Sequence, residues 1–158
     1  MMEEFYEPHR KVSGPWFNSD AIYTPDVTVI RSLTEDCRLL RKEERYDADV
    51  ITCAAPDLSY TEYDGEKLLE VQRERTSRIC DLAWMHGAEN LILGAFGCGV
   101  FRNDPHIVAE AAIAALESHT GCFRKVVFAI PRSRNPINHD TFVKVIGDRF
   151  RTDASPPI

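Results

Sequence analysis

The chain has 158 residues, of which 44 % are hydrophobic and 28 % charged, which suits one soluble domain built around a single core. Its formal charge is −6, and no apolar run approaches the ~20 residues of a helical membrane span. Arginines and lysines are scattered, and the tightest groups, Arg41-Lys42 and Arg73 to Arg78, are mixed with glutamates, so the dense basic face that nucleic acid requires is missing.

The opening Met1-Met2-Glu3-Glu4-Phe5-Tyr6 lacks the basic-then-apolar order of a secretory signal, and a cytoplasmic or otherwise intracellular protein is expected. Residues 1–20 carry Pro8, Gly14 and Pro15 among aromatics and read as an irregular arm. Ala21-Ile22-Tyr23 and Val27-Thr28-Val29-Ile30 flank Pro25-Asp26, predicting two extended pieces around a turn. A further short strand is expected over Arg38 to Lys42. The β-branched run from Asp49 to Cys53 fits a buried strand ended by Ala55-Pro56-Asp57.

The longest helix follows. Asp64 can cap it, Leu68, Val71, Ile79, Leu82 and Ala83 recur at helical spacing, and Gly87 stops it. Leu91-Ile92-Leu93 reads as a strand buried on both faces. After a glycine-rich loop from Gly94 to Gly99, Asn103-Asp104-Pro105 opens a helix reaching about Ser118. Val126 to Ile130 is a last strand, Asp140 to Phe150 a last helix, and residues 151–158 a disordered tail. Alternating strands and helices over residues 21–150 predict a single α/β domain with a largely parallel sheet.

The five cysteines, Cys37, Cys53, Cys80, Cys98 and Cys122, form no CxxC pair and no Cys/His quartet. Neither a zinc site nor a disulfide framework is expected, and Cys53 and Cys80 read as core thiols. No cofactor is expected either.

The segment Gly94-Ala95-Phe96-Gly97-Cys98-Gly99-Val100-Phe101 carries the chemistry. A strand delivers the chain to a sheet edge, three glycines permit positive φ and close approach, and a capped helix begins directly after. Backbone N–H groups in such a loop converge on one concavity, which suits a phosphate or diphosphate. The same turn also occurs for packing alone. Its GxxGxG order is not the dinucleotide GxGxxG, and GxxxxGK[ST] is absent.

The run from Gly94 to Pro105 closely resembles the diphosphate loop of microbial-type poly(ADP-ribose) glycohydrolases, a macrodomain-like family. Ile22-Tyr23-Thr24-Pro25-Asp26-Val27 is similar to that family's IYSPDV segment, and Asp49 to Thr52, Ala55-Pro56 and Phe128-Ala129-Ile130 resemble it in place and spacing. The likeness implies a three-layer α/β/α fold with a mixed, largely parallel sheet. It implies that Gly94, Ala95, Phe96, Gly97, Cys98, Gly99 and Val100 line the diphosphate of ADP-ribose, with Phe101 against the distal ribose.

The family's catalytic signature, three consecutive glycines followed shortly by Gln-Glu-Glu, is absent. None of the eight glycines adjoins another, and the one glutamine is Gln72. No catalytic residue is therefore assigned. In the family the signature precedes IYSPDV, so the chain reads as the later half of the fold, lacking the early strands. The expected partners are ADP-ribose or an ADP-ribosylated protein, together with a second copy or an N-terminal partner chain at the exposed strand edges. Rival readings are an active glycohydrolase completed by the missing half, a cysteine enzyme using Cys98 with His106 as base, and a non-binding structural remnant.

Overall fold

The computed structural model describes residues 14–32, 34, 36–132 and 134–151. Most of the arm and nearly all of the tail lie outside these residues. What is described of the arm is fastened: the Pro15 carbonyl accepts from Asp57 N–H at 2.7 Å, and Lys67 Nζ sits 4.4 Å over the Trp16 ring.

Strand β1 (Ala21–Val29) pairs antiparallel with β2 (Tyr46–Cys53), Ala21 facing Cys53 and Val29 facing Tyr46. The register slips between Thr24 and Val27. Pro25 cannot donate to the ladder, and Asp26 takes a φ of +54°, so the two expected pieces are one strand with a bulge at the turn. The strand expected over Arg38 to Lys42 does not form. One bridge joins Arg31 to Leu39, and Lys42–Glu44 is a 3-10 turn. Its carboxylate at Glu44 accepts from the Arg38 guanidinium (3.0 and 3.1 Å) and from Arg41 N–H (3.0 Å), a local alternative to strand pairing.

Helix α1 (Gly65–Met85) is capped by Asp64, which accepts from Glu66 N–H at 2.9 Å, and the chain leaves it through Gly87 at φ +75°. Its inward stripe is Leu68, Gln72, Thr76, Cys80 and Ala83. Helix α2 (Pro105–Ser118) starts with proline in its first turn and buries Val108, Ala109, Ala112 and Ile113. Small alanines on that face let α1 and α2 pack along each other. Helix α3 (Ile137–Arg151) adds Phe142 and Val145 to the Val108–Ile113 core, and Arg149 forks onto Glu117 at 2.7 and 2.8 Å.

Strand β3 (Asn90–Leu93) pairs in parallel with β4 (Lys125–Phe128), Leu91 facing Val126. A second core cluster joins Cys80 and Ala83 of α1 to Leu91, with Ile51 and Val126 packed against it.

The architecture is α/β, but the described residues form two separate two-stranded sheets rather than one mixed sheet. Two expectations about burial fail for the same reason. In β2 only Ile51 and Cys53 are even partly buried, and in β3 Leu91 is 7 % exposed while Ile92 is 72 % exposed. Helices cover one face of each strand pair, whereas β2 and β3 are not bonded to each other and lack a further neighbour among the described residues.

Candidate functional site: the loop after β3

The loop is two consecutive turns. In the first, Cys98 N–H donates to the Ala95 carbonyl at 3.0 Å, with Gly97 at φ +78°. In the second, Arg102 N–H donates to the Gly99 carbonyl at 3.1 Å, and Arg102 itself sits at φ +55°. Asn103 N–H then donates to the Gly97 carbonyl at 3.1 Å, closing both turns onto one another. Gly97 is required twice over. Its φ disfavours any side chain, and a Cβ there would lie 2.9 Å from Ala55 Cβ and from Asn103 Cγ. A Cβ on Gly99 would meet nothing within 4 Å, so that glycine faces open space.

Beneath the loop lies a buried polar hub. Asn103 is 2 % exposed and Gln72 fully buried. Asn103 Nδ2 donates to the carbonyls of Pro56 (2.7 Å) and Phe101 (3.2 Å), and its Oδ1 accepts from Gln72 Nε2 at 2.7 Å. The segment 55–59 clamps the loop from the side: Leu58 N–H donates to the Phe101 carbonyl (3.0 Å), and the Ser59 hydroxyl lies 2.9 Å from the Val100 carbonyl. Arg75, 1 % exposed, steadies that segment by donating to the Ala54 carbonyl at 2.8 Å and to the Trp16 carbonyl. Its burial pulls the guanidinium below its ordinary pKa. From the other side, Asn138 Nδ2 of α3 donates to the Cys98 carbonyl at 3.3 Å.

The consequence is directional. The carbonyls of Gly97, Cys98, Gly99 and Phe101 accept hydrogen bonds from the protein, and the Val100 carbonyl lies 2.9 Å from the Ser59 hydroxyl. In a planar trans peptide the following N–H points opposite to its carbonyl. The amides of Gly99, Val100 and Phe101 have no acceptor among the described residues.

The predicted site residues divide accordingly. Gly99 and Val100 are exposed, Val100 at 85 %, and Phe101 is partly buried. Ala95, Phe96 and Cys98 pack against the Val108–Phe142 core, and Gly94 opens the loop. The Cys98 amide is spent inside the first turn. Burial pushes its thiol up to about 12, which removes the thiolate that a cysteine nucleophile needs. His106 is exposed on α2.

The helix N-terminus is capped as the sequence predicts. Asp104 accepts from the N–H groups of His106 (2.8 Å) and Ile107 (3.4 Å), so the first turn of α2 is satisfied internally and its positive end is met by a carboxylate. Among the described residues, no group of three His, Cys, Asp or Glu side chains gathers around a point.

Sequence reasoning missed Gln72, Asn103, Leu58, Ser59 and Asn138. One signal was present: Gln72 sits four residues from both Leu68 and Thr76, on the stripe that faces the core. A polar residue there requires a buried partner.

No protein-family model matches the chain, and no curated protein does. Solved structures do. The poly(ADP-ribose) glycohydrolase of Thermomonospora curvata, bound to the inhibitor ADP-HPD, is 34 % identical, with 90 % of this chain and 55 % of that one covered at a TM-score of 0.82. The enzyme of Deinococcus radiodurans in complex with ADP-ribose is 30 % identical, covering 93 % of this chain and 60 % of that one at a TM-score of 0.80. This chain thus shares sequence and fold with the microbial poly(ADP-ribose) glycohydrolases over little more than half of their length, as expected for a later half.

Proposed function

We propose, from this kinship with the microbial poly(ADP-ribose) glycohydrolases, that the chain binds ADP-ribose by its diphosphate at the loop from Gly94 to Phe101. The observation that carries the reading is the run of free amides in the loop: the carbonyls of Gly97, Cys98, Gly99 and Phe101 are bonded within the protein, while the amides of Gly99, Val100 and Phe101 have no acceptor among the described residues and together form an anion-binding nest. Such a nest suits an acidic protein, because amides attract phosphate oxygens without side-chain charge. Phe101, partly buried beside the nest, offers an apolar edge to the distal ribose. Cys98 is given no nucleophilic part, since burial pushes its thiol up to about 12.

Glycosidic cleavage needs a general acid at the scissile bond and a water on the sugar. The chain has no counterpart of the Gln-Glu-Glu signature, so binding is the function assigned to these residues, and cleavage requires a carboxyl group brought from elsewhere. The macrodomain-like three-layer arrangement belongs to the same proposal, as the form taken once the two sheets are joined.

The test is calorimetric titration with ADP-ribose, beside an assay for ADP-ribose released from a poly(ADP-ribosyl)ated protein. Saturable binding without release supports the proposal. Absence of binding refutes it, and release by this chain alone refutes the assignment to binding only.

A further inference from the structure

On the flank of the loop held by the segment 55–59, the molecule has an open cleft of about 320 Å³. Pro15 and Phe17 of the arm form one wall, and Asp57, Tyr60 and Thr61 form the other. The walls are fastened to each other and to the loop. Asp57 N–H donates to the Pro15 carbonyl at 2.7 Å, and the Asp57 carboxylate accepts from Ser59 N–H at 3.1 Å and from the Ser59 hydroxyl. That hydroxyl lies 2.9 Å from the Val100 carbonyl, and the Ser59 carbonyl accepts from the Arg102 guanidinium at 3.4 Å. Tyr60 follows directly in the chain. The cleft therefore opens one residue from the contact that ties this flank to Val100.

Two aromatic rings are left in water there. Tyr60 is 99 % exposed and Phe17 39 % exposed. Phe17 also holds a φ of +50°, a left-handed backbone that a bulky side chain rarely takes. Core packing accounts for neither residue. A strained residue held in place by its surroundings marks a binding position more often than a packing one.

The lining sets the chemistry of the ligand. It includes no lysine or arginine among the described residues, so the cleft is not a second phosphate site. Exposed aromatic faces take a nucleobase by stacking, and the Asp57 carboxylate suits an amine donor on its edge. The volume is at the small end of ligand pockets, which fits one nucleoside and no larger group.

We propose that this cleft seats the adenine of the adjoining unit when ADP-ribose is presented as a polymer, stacked against Tyr60 and Phe17. The proposal rests on the reading of the loop as the diphosphate site with the distal ribose at Phe101. In poly(ADP-ribose) the distal ribose of one unit is bonded directly to the adenosine ribose of the next. Leu58 N–H bonds the Phe101 carbonyl at 3.0 Å, so the segment that carries Tyr60 runs beside the position of that ribose. The substrate class is then the polymer rather than the single ADP-ribose.

The test is calorimetry with ADP-ribose and with a two-unit oligomer of ADP-ribose, on the native protein and on Tyr60→Ala. The oligomer should bind about tenfold more tightly than ADP-ribose. Tyr60→Ala should remove that gain and leave the affinity for ADP-ribose and the melting temperature unchanged. Equal affinities in the native protein overturn the proposal, as does a gain that survives Tyr60→Ala. A gain shown by an ADP-ribosylated peptide and not by the oligomer also overturns it, and assigns the cleft to the modified protein. Adenosine alone, followed by amide NMR, reads the cleft without the loop: shifts at Phe17, Tyr60 and Thr61 support it, and their absence overturns it. If those shifts appear while neither ADP-ribose nor the oligomer binds, the diphosphate reading falls and the base site stands.

Discussion

Where β3 runs out into the loop at Gly94, the main chain is fastened at carbonyl after carbonyl, and two buried amide side chains, Gln72 and Asn103, tie it to α1. Along β3 itself one edge is paired among the described residues, and Ile92 stands 72 % exposed. The contrast separates two kinds of completeness. A ligand-sized loop can be finished by contacts within this chain, because its anchors lie on α1, α3 and the segment 55–59. A sheet is finished only when each strand edge has a neighbour.

The sharpest way to break the comparison is Asn103→Ala. It orphans Gln72 Nε2 and the buried Pro56 carbonyl, and at ~1–3 kcal/mol for each unsatisfied group the loss should be about 4 kcal/mol. In a thermal melt this reads as a fall of roughly 10 °C. A fall of only a degree or two would mean that the loop is not held from below.

Gly97→Val comes next. The positive φ and the contact at 2.9 Å together should cost about 3 kcal/mol, read from urea midpoints. A smaller effect belongs to the packing of α1 on α2, where Asp81 bonds His119 at 2.9 Å and raises the imidazole pKa. That stabilisation is present below the unfolded pKa of about 6.5 and is lost as pH rises through the higher folded value. The pair is partly solvent-screened, so a few tenths of a kcal/mol is expected, and Asp81→Asn should flatten the pH profile over that window.

Smallest of all is Ile92→Thr. On so exposed a side chain the change should stay within about 0.5 kcal/mol, although the sequence reads Ile92 as core. A loss of several kcal/mol would mean that the face is covered in solution.

What the sequence made legible was local. Asp64, Gly87, Asp104 and Pro105 mark helix ends through chemistry confined to a few neighbouring residues, and the structure puts those ends where they say. The glycines of the loop were legible for the same reason. The Gln72–Asn103 hub joins residues 31 apart, and no local pattern announces such a partner. Burial of Ile92 was misjudged because a continuous apolar run states that a strand can be covered on both faces, not that the covering segment is at hand. Arg38 to Lys42 misled differently: strand spacing was present, but a carboxylate three residues from Arg41 offered those cations a nearer partner.

The central claim concerns the amides of Gly99, Val100 and Phe101, and Gly99→Val tests it most directly, because a side chain there meets no atom of the protein within 4 Å. ADP-ribose titrated into the native protein and into this variant should bind the first and bind the second at least tenfold more weakly, with melting temperatures that agree within about 2 °C. Equal affinity in the two proteins would contradict the account.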